Sequence, residues 1–125
     1  MSEITTLSQL LDGSHAIAPG DAEAITDGRT RWSWDEYRDQ VARIAAILID
    51  VGVEPGDRVG VHLAKSPFSF AAVHGTLRAG AVMVPLDALA PAAATNAVLI
   101  DAGQRGGKWA FHVNHAPMRL TARKP

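Results

Sequence analysis

Arg58 to Leu63, RVGVHL, is a short apolar run suited to a strand buried on both faces, and Ala81 to Leu86, AVMVPL, is a second. The stretch between them, Pro67 to Ala79, reads as a helix, with Ser66 as its cap, Pro67 at its first position and Gly80 just past its end. Strand, helix and strand within about thirty residues have one ready solution, a parallel pair joined by a right-handed crossover. Pro85 sits near the end of the second run, where a ladder hydrogen bond can be spared. Helices cover both faces of a parallel sheet, so this unit commits the chain to an α/β fold.

The flanking segments agree with it. Ser33 precedes Glu36 by three residues, the spacing at which hydroxyl and carboxylate each satisfy the other's backbone amide at a helix start. Trp34, Tyr37, Val41, Ile44, Leu48 and Val51 then recur in steps of three and four, with Ala45 and Ile49 widening the stripe. Gly52 stops this helix, and Glu54, Pro55, Gly56 and Asp57 make a turn. Upstream, Ala22 to Thr26 and Thr30 to Trp32 predict a small hairpin, with Asp27 and Gly28 supplying the positive φ angles of a tight turn. Residues 5 to 11 predict a short helix, and Pro91 to Asp101 a further helix after which another strand is expected.

At 125 residues, with 47% hydrophobic and 20% charged side chains, the chain is sized for one domain. The absence of cysteine excludes a disulfide framework, a thiolate metal site and a thiol nucleophile. A net charge of −1 gives no general pull towards nucleic acid or an anionic membrane. No Lys or Arg precedes Arg29, and the longest purely apolar run, Ile44 to Ile49, is too short to span a bilayer, so a cytoplasmic protein is expected. The charge is unevenly spread: residues 1–103 carry seven bases and thirteen acids, and residues 104–125 five bases and no acid.

Local constellations offer little chemistry. Ala102 to Trp109, AGQRGGKW, approaches a phosphate-cradling loop but has Ala102 in place of the first glycine and Trp109 in place of the closing hydroxyl residue. His112 and His115 can share a helical face, yet have no carboxylate or thiolate partner for a metal. His62 and His74 read as core or edge histidines satisfied by backbone, and His15 as a loop residue. Lys65 and Ser66, between a strand end and a helix start, read as capping, with anion binding as the other reading. Arg105, Lys108, Trp109, Arg119, Arg123 and Lys124 make a scattered basic tail, read as a solvated end rather than a nucleic-acid arm. No catalytic, cofactor-binding or metal residue is therefore assigned.

From Trp34 to Pro91 the order of motifs resembles the N-terminal part of the adenylate-forming superfamily, the AMP-dependent synthetases and ligases that include acyl-CoA synthetases and peptide-synthetase adenylation domains. WDEYRDQVARIAAILIDVGVEPGDRVGV is similar to the family's helix, turn and strand, and KSPFSFAAVHGTLRAGAVMVPLD to its loop, helix, Leu-x-Ala-Gly-Ala turn and strand end. AEAITDGRTRWSW resembles the hairpin before them. Lys65, His74 and Ala88 to Ala90 depart from the usual pattern.

The resemblance implies an incomplete parallel-sheet portion of the family's large domain over residues 15–103, behind an N-terminal segment at 1–14. Residues 104–125 are expected as a disordered or frameshifted tail. Full-length members activate a carboxylic acid, fatty acids among them, with ATP and magnesium, and usually pass it to CoA or another thiol. Their phosphate loop, Gly-Glu segment, ribose Asp and lid Lys match nothing in this sequence. The expectation is thus a ligase-like chain without activity of its own, needing no cofactor, and marginally stable unless covered. The alternative is a docking module for a larger ligase or carrier. A full-length ligase, or self-association through exposed sheet edges, supplies the expected partner; nucleic acid and membrane do not.

Overall fold

The computed structural model describes residues 18–87, 89–104, 110–115 and 118–123, together with Gln9. The helix expected over 5–11, apart from Gln9, and the loop histidine His15 lie outside these residues. The described chain is α/β, with a small hairpin followed by a mainly parallel sheet.

Strands β1 (Glu23–Thr26) and β2 (Arg31–Ser33) pair antiparallel, with Ile25 opposite Trp32 and a bulge between Glu23 and Ile25. Their connection differs from a two-residue turn. Only Gly28 has a positive φ, at 87°, while Asp27 keeps an ordinary backbone and folds the loop with its side chain. Its Oδ1 accepts the amides of Arg29 at 2.9 Å and Thr30 at 2.7 Å. Those two bonds hold the Asp27 carboxyl below its ordinary pKa.

Helix α1 (Trp34–Asp50) begins at the expected capping box: the Glu36 amide donates to Ser33 Oγ at 3.2 Å and the Ser33 amide to Glu36 Oε1 at 3.1 Å. Its buried stripe is Tyr37, Val41, Ile44, Ala45 and Leu48, joined by Arg38, whose guanidinium lies 5.9 Å from the Trp34 ring centre. Ile49 and Val51, expected on that stripe, are instead exposed, as is Ile47. Helix α1 packs along helix α2 (Pro67–Arg78).

Strand β3 (Arg58–His62) is central, pairing parallel with β4 (Val82–Pro85) on one side and with β5 (Ala110–His115) on the other. β6 (Met118–Arg123) adds antiparallel to β5, giving the order β4-β3-β5-β6. Val59, Gly60 and Val61 are all buried, as a strand covered on both faces requires, whereas β4, at the edge of the described sheet, has Val82 exposed. Within the segment expected as a disordered or frameshifted tail, residues 110–115 and 118–123 lie on strands β5 and β6. Their backbones satisfy one another and the open side of β3, which requires no hydrophobic period. His112 and His115, read as able to share a helical face, lie on strand β5.

Helix α2 (Pro67–Arg78) connects β3 to β4, and helix α3 (Ala92–Gln104) connects β4 to β5. The first connection moves one way along the sheet and the second moves back past β3, so right-handed crossovers put α2 and α3 on opposite faces. At the start of the parallel pair the two preceding turns dock on each other. The Gly56 amide donates to Gly80 O at 3.0 Å, and the Val82 amide to Asp57 O at 2.7 Å. Gly80 takes a positive φ of 80°, which favours glycine there, while a Cβ would meet Pro55 only at ordinary contact distance. Among the described residues no helix is long and apolar enough to cross a membrane.

Candidate functional site

Because the chains leaving β3 and β4 run to opposite faces, the carboxyl ends of these strands open a crevice, the place where open α/β sheets receive ligands. A groove of about 300 Å³ occupies it. Val61 and Leu63 line it from the β3 side, Phe70 and Val73 from α2, and Met83 and Leu86 from the β4 side. Lys65 and Ser69 are its polar members.

The loop holding Lys65 is fixed by the start of α2. Ser66 Oγ accepts the Ser69 amide at 3.2 Å, Ser69 Oγ accepts the Ser66 amide at 3.0 Å, and Ser69 Oγ donates to Ser66 O at 2.8 Å. Of the two readings of Lys65 and Ser66, capping is the one found. Pro67 has no N–H and the Ser69 amide is taken, so the first turn offers an anion at most the Phe68 amide. Ser69 as the reciprocal partner was not anticipated, although a hydroxyl three residues after a capping serine is a readable sign.

A second polar cluster joins α1 to α2. The Tyr37 hydroxyl is hydrogen-bonded to Nδ1 of His74, so His74 is satisfied by a side chain and not by backbone as expected. Burial pushes the Tyr37 hydroxyl up to about 12 and lowers the His74 imidazole, so both are neutral near pH 7. Trp32 of β2 continues the cluster, its ring edge-on to Phe68 with centres 4.8 Å apart and 6.4 Å from that of Tyr37. The arrangement fastens hairpin, α1 and α2 together, and it presents no charged group to a substrate.

His62 ends β3, half-buried. The near-phosphate loop at Ala102 to Trp109 begins inside α3 and then passes outside the described residues. No three of the described His, Asp and Glu residues gather as metal ligands. This groove does not fit ATP with magnesium: its lining is mainly carbon, its one hydroxyl, that of Ser69, is committed to capping, and Lys65 is its one cation.

The family model for AMP-binding enzymes matches residues 14–106, and the chain belongs to that family. Enterobactin synthase component F of Escherichia coli O157:H7 is 45% identical over 83 residues, 66% of this chain and 6% of that protein. The probable non-canonical nonribosomal peptide synthetase CymA of Salinispora arenicola is 45% identical over 97 residues, 78% of this chain and 1% of its own length. The chain thus spans a small part of the curated relatives it matches. The N-terminal subdomain of Klebsiella oxytoca NpsA, solved with 3-hydroxybenzoyl-AMSN, superposes with a TM-score of 0.74 at 22% identity, over 87% of this chain and 27% of that one. The inhibitor-bound N-terminal domain of FACL13 from Mycobacterium tuberculosis gives the same TM-score, identity and coverage. At that identity the two structures establish the fold. The sequence relatives are peptide synthetases, which corrects the leaning towards fatty acid metabolism: the motifs that suggested it belong to the shared scaffold and carry no mark of the acid.

Proposed function

We propose that this chain supplies a scaffold portion of an ATP-dependent adenylate-forming domain of the peptide-synthetase kind and activates no carboxylate by itself. One observation carries the reading: the crevice at the carboxyl ends of the parallel strands holds a single lysine among apolar side chains, with its one hydroxyl, that of Ser69, already bonded to backbone. Charge develops on phosphate and carboxylate oxygens during adenylate formation, and catalysis there depends on several preorganised donors or cations. The 45% identity to two peptide synthetases favours that kind of parent over an acid–CoA ligase. ATP, magnesium and an acceptor thiol are requirements of the complete domain in this reading.

The test is acid-dependent exchange of labelled pyrophosphate into ATP by the purified chain, across a panel of amino acids and aromatic acids. Exchange at the level of the blank is the expected result. Turnover that rises with enzyme concentration and depends on one acid would overturn the reading.

A further inference from the structure

The turn between β1 and β2 carries a dipeptide with a covalent chemistry of its own. Asp27 is followed by Gly28, and an aspartyl side chain is most open to attack by the next backbone nitrogen when that residue is glycine, which has no Cβ to hinder ring closure. In that step the Gly28 nitrogen bonds to Cγ of Asp27, and the hydroxyl of the protonated carboxyl leaves with the amide proton as water. Water then opens the five-membered succinimide at either carbonyl. One opening restores Asp27, and the other routes the main chain through the side-chain carbons, giving isoaspartate of unchanged mass. Only solvent water takes part, nothing is oxidised or reduced, and Thr26 to Arg29 are all exposed to it.

The folded turn restrains both reactants. The Gly28 amide donates to Thr26 Oγ1 at 3.1 Å, a bond that must break before the nitrogen can lose its proton and attack. On the other reactant, Asp27 Oδ1 is held by the amides of Arg29 and Thr30. Those bonds keep the carboxyl ionised at neutral pH, the form with no hydroxyl to lose. Of these restraints only the one from Thr26 is made by a side chain outside the reacting dipeptide, so a substitution can remove it and leave Asp27 and Gly28 as they are.

We propose that Asp27–Gly28 is a latent site of spontaneous isomerisation to isoaspartate, and that the Thr26 hydroxyl, by holding the Gly28 amide, sets its rate in the folded chain. The modification reaches past the turn. Isoaspartate adds one carbon to the main chain between β1 and β2 and moves the carboxylate to a new branch, so the closure on Arg29 and Thr30 is lost. Strand β2 carries Trp32, buried against Phe68 and Tyr37, and a loosened hairpin gives up that packing on the helices.

The test is incubation of the full chain at neutral pH, with isoaspartate at position 27 read over time from peptide maps, where the two isomers share a mass and separate by retention. The folded chain is expected to form it more slowly than the same chain in denaturing urea. Thr26→Val raises the folded rate about two- to tenfold, the range that loss of one hydrogen bond gives. Thr26→Ser keeps the hydroxyl and the original rate. Asp12–Gly13, the same dipeptide elsewhere in the chain, serves as an internal clock that neither variant changes. The separated isoaspartyl form melts below the unmodified chain. Equal rates in the folded and denatured chain overturn the proposal, as does Thr26→Val no faster than Thr26→Ser. So does a difference between the variants that persists in urea, an acceleration shared by Asp12–Gly13 or matched by an equal loss of global stability in urea unfolding, or an isoaspartyl form that melts with the unmodified chain.

Discussion

Tyr37 and His74 show how one contact couples two helices to pH. Burial lowers the His74 imidazole below its ordinary 6.5, so the unfolded chain binds the proton more readily and stability falls as pH drops from 6.5 through the folded value. Tyr37 works in the other direction. Its folded value of about 12 lies above the ordinary 10.0, so its contribution is complete below pH 10 and is lost as pH rises to about 12. Tyr37→Phe is expected to abolish the alkaline decline and to cost about 1–3 kcal/mol at pH 7 by leaving His74 Nδ1 without its partner. Urea midpoints measured between pH 5 and 12 check both statements. The pairing was not legible in the sequence, because Tyr37 and His74 meet only once α1 and α2 cross. Ser33 and Glu36 were legible because their partners lie three residues away.

The contact between α1 and α2 turns on Gly75. A Cβ at that position would stand 2.6 Å from Ile44 Cγ2 and 2.8 Å from Ile44 Cβ, distances that only a shift of one helix relieves. Gly75→Ala is therefore expected to lower stability by about 1–3 kcal/mol, although alanine favours an isolated helix by about 1 kcal/mol over glycine. Thermal and urea unfolding of the variant decide which effect prevails, and unchanged or increased stability would contradict the packing described. The hydrophobic stripe of α1 was readable as far as Leu48. Beyond it, Ile49 and Val51 continue the period yet stay about half exposed, since periodicity states which face can be buried and not how far the neighbouring helix reaches. Lys65 and Ser66 were readable as a capping site, whereas the groove beside them was not, because its walls come from three elements set together by the sheet.

For the molecule as a whole, the α/β class and the hairpin followed from local signals, and the order of strands did not. A β-α-β unit fixes that β3 and β4 are parallel neighbours, but nothing within it says that the next strand returns to the far side of β3. That return makes β4 an edge and opens the crevice. The two docked turns at the start of the parallel pair add a consequence of their own. With Gly56 bonded to Gly80 and Val82 to Asp57, the amino ends of β3 and β4 are riveted. Their carboxyl ends flank open space instead. Thermal breathing of the pair should run like a zip from the open end, so deuterium replaces the Leu86 amide proton sooner than that of Val82. The reverse order would show that the rivet does not hold.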